Sequence, residues 1–264
     1  MLNISDKPIC ECNQDDKEIT FSTLFGKSEQ MLKDEFYVYQ IQKLFLRVSS
    51  LVQGNLERAE VCAEREELSG LEVYSYAISP YFLKDVKVDK KKQKQKTTKK
   101  EELLIDFPSG EGSIKARQAE IKTAIKNKLG GVIVTLPSNA DLYASCTIKK
   151  KLTKLIKKFK GEKSFVINDR LDEECLKKIC RAIDGVNGKI VINCLGDSVL
   201  STIDRVNRLK RYVGEEKIKV IAKIVKAEEL MSLLFTGVLA VYTPCLRELL
   251  GSFEEKFNVC VVKV

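Results

Sequence analysis

Residues 103–137 read LLIDFPSGEGSIKARQAEIKTAIKNKLGGVIVTLP. Three apolar residues run into Asp106, and Phe107-Pro108-Ser109-Gly110 then breaks the strand pattern. The spacing that follows predicts a helix over 113–128, with Ile114, Ile121 and Ile125 on one face. GGVIVTLP at 130–137 is an unbroken apolar run, the pattern of a strand covered on both faces. Strand, corner, helix and strand in this order make a β-α-β unit, which requires parallel strands.

The alternation extends in both directions. Upstream, LFLRVSSLV (44–52) and LEVYSYAI (71–78) are strand-like and flank a helical stretch at 55–68; Ser79-Pro80 then supplies the start of a short helix. Downstream, strands are predicted at 164–168, 189–195, 217–225 and 238–243. Between and after them, helices are predicted at 147–160, 171–183, 198–213, 227–235 and 246–257, with a last strand-like segment from 257 onward. Eight strand–helix pairs from 44 to 257 predict a (β/α)8 TIM barrel; a doubly wound open sheet is the alternative. Neither GxGxxG nor GxxxxGK[ST] follows any strand, so dinucleotide and P-loop sites have no support. Residues 1–43 are expected to form an extension and a leading helix, and 44–264 the barrel, with a lysine-rich insertion at 87–100.

The 264 residues include no histidine, which excludes Ser/His and Cys/His pairs, imidazole bases and His-zinc sites. Nine cysteines occur, but Cys10-x-Cys12 and the Cys175–Cys180 pair do not give four ligands at zinc spacing, and no metal or cofactor is implied. No apolar run reaches the ~20 residues that span a bilayer. The first 30 residues lack an apolar core, so a cytoplasmic location is expected. The net charge of +9 is local: 87–100 and 149–163 hold eight lysines each, against one acidic residue each, and the remainder is net acidic. The helix at 147–160 sets Leu152, Leu155, Ile156 and Phe159 opposite its lysines, as a solvated barrel helix does. The 87–100 loop is a candidate for nucleic-acid contact through phosphates, although it lacks aromatic residues for base stacking.

The 105–137 block resembles the deoxyribose-phosphate aldolases, class I aldolases built on a (β/α)8 barrel. Phe107, Pro108, Gly110, Glu120, Ala124, Ile125, Val132 and Pro137 fall on the family pattern without a gap. VYSYAISPYFLKDV (73–86) resembles its second strand and aromatic turn, and FVINDRLDEECL (165–176) its fifth strand and helix start. The resemblance covers most of 44–245 and implies a Schiff-base lyase, a homodimer, acting on a small aldehyde phosphate.

The residues that such chemistry needs are replaced. The resemblance puts Ile133 where an aspartate handles protons on strand four, and Ile192 or, shifted by one, Asn193 where the Schiff-base lysine stands on strand six. Arg47 lies near a strand-one aspartate position, IVKAEEL replaces a glycine-rich phosphate turn, and YTPCLR replaces a second phosphate loop. Lys223 is the one retained catalytic candidate; it could form an imine if desolvated, or simply expose a cation. Asp106, Asn193, Cys194 and Thr243 are the candidate binding residues. Cys194 reads either as a reactive thiol or as inert core, and Thr243-Pro244 as the cap and first residue of the last helix, a potential anion site. The expected function is an aldolase-like barrel without imine chemistry, binding a small phosphorylated or anionic metabolite or a protein. The alternatives are an active lyase using Lys223 and a basic accessory protein acting through 87–100.

Overall fold

The computed structural model describes residues 29–52, 71–83, 101–138 and 148–261. Helix α1 (Glu29–Phe45) leads into β1 (Val48–Val52). Strands β2 (Ser75–Ile78), β3 (Glu101–Ile105), β4 (Gly131–Thr135), β5 (Glu162–Ile167), β6 (Lys189–Cys194), β7 (Ile218–Ala222) and β8 (Ala240–Thr243) follow. The helices are α2 (Ile114–Lys126), α3 (Ile148–Ile156), α4 (Glu173–Asp184), α5 (Val199–Leu209), α6 (Ala227–Phe235) and α7 (Leu246–Phe257). All eight strands are parallel to their neighbours, and β8 closes on β1, so the sheet is a barrel. The predicted helix at 55–68 and the 1–27 and 87–100 segments fall outside the described residues. The final strand-like stretch is not a strand through Val261. Among the described residues, no helix is long and apolar enough to cross a membrane.

Followed round the barrel, the pairing registers displace the chain by eight residues per circuit. One residue of step per strand puts alternate strands on common levels. Ser49, Glu102, Ser164 and Lys219 share one level, with Ser75, Gly131, Lys189 and Ala240 below it and Ala77, Ile133, Val191 and Tyr242 above it. Leu51, Leu104, Val166 and Ile221 form the next level, and Thr135 and Asn193 share the level above that. Most of these side chains form one lumen cluster, separate from the larger core between barrel and helices.

The level of Ser49, Glu102, Ser164 and Lys219 is polar and buried. Lys219 and Glu102 are both fully buried, 3.3 Å apart. The Lys219 ammonium also donates to Glu162, to the Ser164 hydroxyl at 3.1 Å and to the Tyr242 hydroxyl at 2.8 Å. Tyr242 and Ser75 each donate to the far Glu102 oxygen at 2.5 Å, and Tyr74 donates to Glu162. Burial first, and the adjacent carboxylates second, hold both tyrosine hydroxyls far above their usual range, so they act as donors. Space for the Glu102 carboxylate comes from Gly131 on β4: a Cβ there would lie 2.7 Å from its Oε1.

The outer faces follow the sequence with one rotation. Leu152, Leu155, Ile156 and Phe159 are buried and the lysines around them exposed, as the amphipathic reading of α3 predicts. Helix α1 extends to Phe45, two residues into the segment read as strand, and seats Ile41 and Phe45 in the core. On α2 the buried face is Arg117, Ile121 and Ala124; Ile114 and Ile125 are exposed. Arg117 claims that face because its guanidinium is bound beneath the β3 corner, pairing with Asp106 at 2.8 Å.

Two outcomes follow from this packing. Replacing Lys219 with Met leaves Glu102 buried without its counter-ion, and urea unfolding should show a loss of about 3–5 kcal/mol. Adding Glu102→Gln should recover part of that loss, because the uncompensated charge is then gone. Burial pushes the Cys180 and Cys194 thiols from 9.0 up to about 11. The folded chain therefore holds protons that the unfolded chain has released, and stability should fall as pH rises from about 9 to 11. Cys180→Ala with Cys194→Ala should flatten that dependence of the urea midpoint on pH.

Candidate functional site

Above the apolar level Leu51, Leu104, Val166 and Ile221, the lumen turns polar again at the C-terminal strand ends, where barrel chemistry is placed. Thr135 ends β4 and alternates with Ile133, while its register partner is Val166, so its side chain faces the lumen. It is 3% exposed. Its hydroxyl is buried without a hydrogen-bond partner among the described residues. Asn193 faces inward on β6, alternating with Val191, and its Oδ1 accepts from the Leu195 amide at 3.3 Å. Lys223 is one residue past β7, in phase with the lumen residues Lys219 and Ile221, and exposed. Asn168 follows β5 at the same end, tied to the Ser138 carbonyl and the Arg170 amide. Phe107 and Leu195 pack onto the lumen cluster just past β3 and β6.

The geometry separates the residues that the sequence had grouped. Of the two register choices on β6, Asn193 faces the lumen, whereas Ile192 belongs to the core between barrel and helices. Cys194 alternates to that same outer side at 1% exposure, so its thiol is turned away from the mouth. Ile133 is lumen-facing and fully buried. Arg47 precedes β1 at the opposite end, where its guanidinium donates to the Val238 and Leu234 carbonyls.

Asp106 is also absent from the lumen. Its φ of 57° breaks the alternation of β3, and its carboxylate turns to the Gly112 amide at 2.7 Å and Arg117 Nε at 2.8 Å. Gly110, with φ of 70°, passes so close to β4 that a Cβ would meet the Leu136 carbonyl oxygen at 2.5 Å. The Phe-Pro-x-Gly corner is thus an internal fastener of β3, α2 and β4. Burial, reinforced by the Asp106 charge, raises the carboxyl of Glu120 on the same helix.

Thr243 corrects the reading of the last helix. That helix begins at Leu246 with Cys245 as its cap residue. The Thr243 hydroxyl is fully buried and turned to β7: it accepts from the Ile224 and Cys245 amides and donates to the Ile224 carbonyl, at 3.1–3.3 Å. The turn after β7 is closed in the same manner. Glu229 on α6 accepts from the Val225 and Lys226 amides, both at 3.2 Å, and Ser252 accepts from Ala227 at 3.1 Å. A carboxylate of the chain itself sits where loop amides otherwise meet an external anion.

The loops after β5 and β6 are locked together as well. Arg205 on α5 bridges Asp169, which is 2% exposed, and Asp197, while Arg208 donates to the Asp169 and Leu171 carbonyls. The Asp169 hydrogen bonds raise the Arg205 guanidinium further above its ordinary range. Sequence reading missed Thr135, Lys219, Glu102 and Glu229. Glu229 alone had a local signal, an acidic residue three positions into a helix.

No established family profile matches the chain, and no curated protein is significantly similar to it. Solved structures do match. The deoxyribose phosphate aldolase of Aeropyrum pernix, described as tetrameric, has a TM-score of 0.65 at 16% identity, covering 87% of this chain and 99% of that one. An aldolase designated QR15 gives 0.64 at 17% identity, covering 81% and 95%. The tryptophan synthase α-subunit of Pyrococcus furiosus, in a mutant form, gives 0.52 at 15%, covering 80% and 93%. Identities this low speak for the backbone and leave the chemistry to the residues themselves. The chain shares the (β/α)8 fold of the deoxyribose-phosphate aldolases.

Proposed function

We propose that this chain is an aldolase-like barrel that binds a small polar metabolite at its C-terminal mouth without forming an imine. The observation that carries the reading is Asn193 at the inward-facing end of β6, where the resemblance requires an amine. An amide has no free electron pair of the kind that attacks a carbonyl carbon, so covalent capture there is ruled out chemically. Ile133 supports the same reading, since a buried hydrocarbon can neither take nor give a proton.

A runner-up is a lyase that uses Lys223 alone, favoured by its phase with the lumen residues. An imine-forming lysine must lose its proton, which enclosure or a nearby second cation promotes. Lys223 is exposed, so enclosure is not what its surroundings supply. Nucleic-acid contact through 87–100 rests on residues outside those described.

Borohydride reduction in the presence of acetaldehyde or deoxyribose 5-phosphate, followed by peptide mass spectrometry, separates the two readings. The expected result is no reduced adduct on Lys223. A stoichiometric adduct there, abolished by Lys223→Met, would establish imine chemistry and overturn the noncatalytic reading.

A further inference from the structure

The mouth carries two features that point to a ligand of a different kind from a sugar phosphate. The first is the Thr135 hydroxyl, buried at the inner edge of the polar level and without a partner among the described residues. Leaving such a group unsatisfied destabilises the fold, and valine would fill the same volume without that cost. Asn193 stands on the same level of the lumen, with its side-chain amide nitrogen available as a donor beside the Oδ1 that holds Leu195. The second feature is the saturation of the loops after β7 and β8. The amides of Ile224, Val225, Lys226, Ala227 and Cys245 all bond to side chains of the chain itself. In barrels these loops are the frequent seat of a phosphate. Here Glu229 adds a negative charge at that spot, so an incoming phosphate meets an occupied turn and a like charge.

Resting on the metabolite-binding reading above, we propose that the mouth selects an unphosphorylated polyhydroxy or hydroxycarbonyl compound. Thr135 and Asn193 contact its oxygens, and Glu229 excludes the phosphorylated counterpart. A ligand hydroxyl or carbonyl completes the bonding of Thr135, over the apolar floor of Leu51, Leu104, Val166 and Ile221. Phe107 and Leu195, which pack onto the lumen cluster at this end, border the site. No covalent step is involved.

Calorimetric titration with two matched pairs tests this: glyceraldehyde and its 3-phosphate, and 2-deoxyribose and its 5-phosphate. At least one unphosphorylated member should bind, and its phosphate ester should bind at least about tenfold more weakly. Thr135→Val should weaken the parent compound by about tenfold or more while raising the urea midpoint, which separates loss of a contact from loss of fold. Glu229→Ala should admit the ester and bind inorganic phosphate, whereas Glu229→Gln, which keeps the acceptor oxygen, should leave the turn closed to both. Tighter binding of an ester to the native chain would overturn the exclusion, as would an unchanged preference in Glu229→Ala. No binding by either unphosphorylated probe, or unchanged affinity in Thr135→Val, would overturn the assignment of the polar level. A borohydride adduct on Lys223 would instead remove the noncatalytic reading and leave the selectivity result standing, so the two failures are distinguishable.

Discussion

A lysine ammonium sealed inside the barrel constrains much of the rest. Lys219 has no exposed surface, and an ammonium in that position is stable only if acceptors surround it. Glu102 from β3, Glu162 and Ser164 from β5 and Tyr242 from β8 supply them. These groups are remote in sequence and meet only when the eight strands close with the observed stagger. A slip by one residue would turn each strand's lumen set outward. The polar level therefore discriminates among registers as well as binding charge, and Gly131 is part of the same arrangement because only hydrogen fits beside Glu102.

That level also places the barrel's enclosed cation at the end opposite the mouth. Imine chemistry needs an amine in a dry, cation-rich pocket at the C-terminal strand ends. Here the enclosed amine is neutralised by carboxylates near the N-terminal ends, and the mouth-facing Lys223 is exposed. Between them lie eight lumen residues of which only Tyr242 has a polar side-chain atom. Such a column carries no proton relay from the buried amine to the mouth, so the two ends are chemically independent.

Strand–helix alternation was legible because it depends on local periodicity, and the lysine-rich α3 shows the clearest agreement. What eluded the sequence depends on partners outside the window being read. Glu102 precedes the apolar run that marks β3, and Lys219 looks like a solvated strand end until the closed barrel puts them together. Asp106 looks like a mouth residue because the strand alternation points it there; a single positive φ diverts it to Arg117, and α2 rotates its buried face to meet it. Thr243 beside proline resembles a helix cap, but Ile224 on the neighbouring loop offers an amide and a carbonyl together, and the hydroxyl takes both.

The resemblance that identifies the backbone and the residues that would perform the reaction belong to separate parts of the molecule. Phe107, Pro108 and Gly110 join β3, α2 and β4, and their requirements are steric: an apolar plug, a fixed corner, and a hydrogen atom against the Leu136 carbonyl. Those contacts do not depend on what stands at the mouth. What the lumen levels require is that each stays filled and that its charges stay paired. The β7 turn follows the same logic, because its loop amides require an acceptor, and Glu229 supplies it. On the proposed reading, the contact that closes the turn and stabilises the fold is the same one that narrows the ligand, so stability and selectivity rest on one carboxylate.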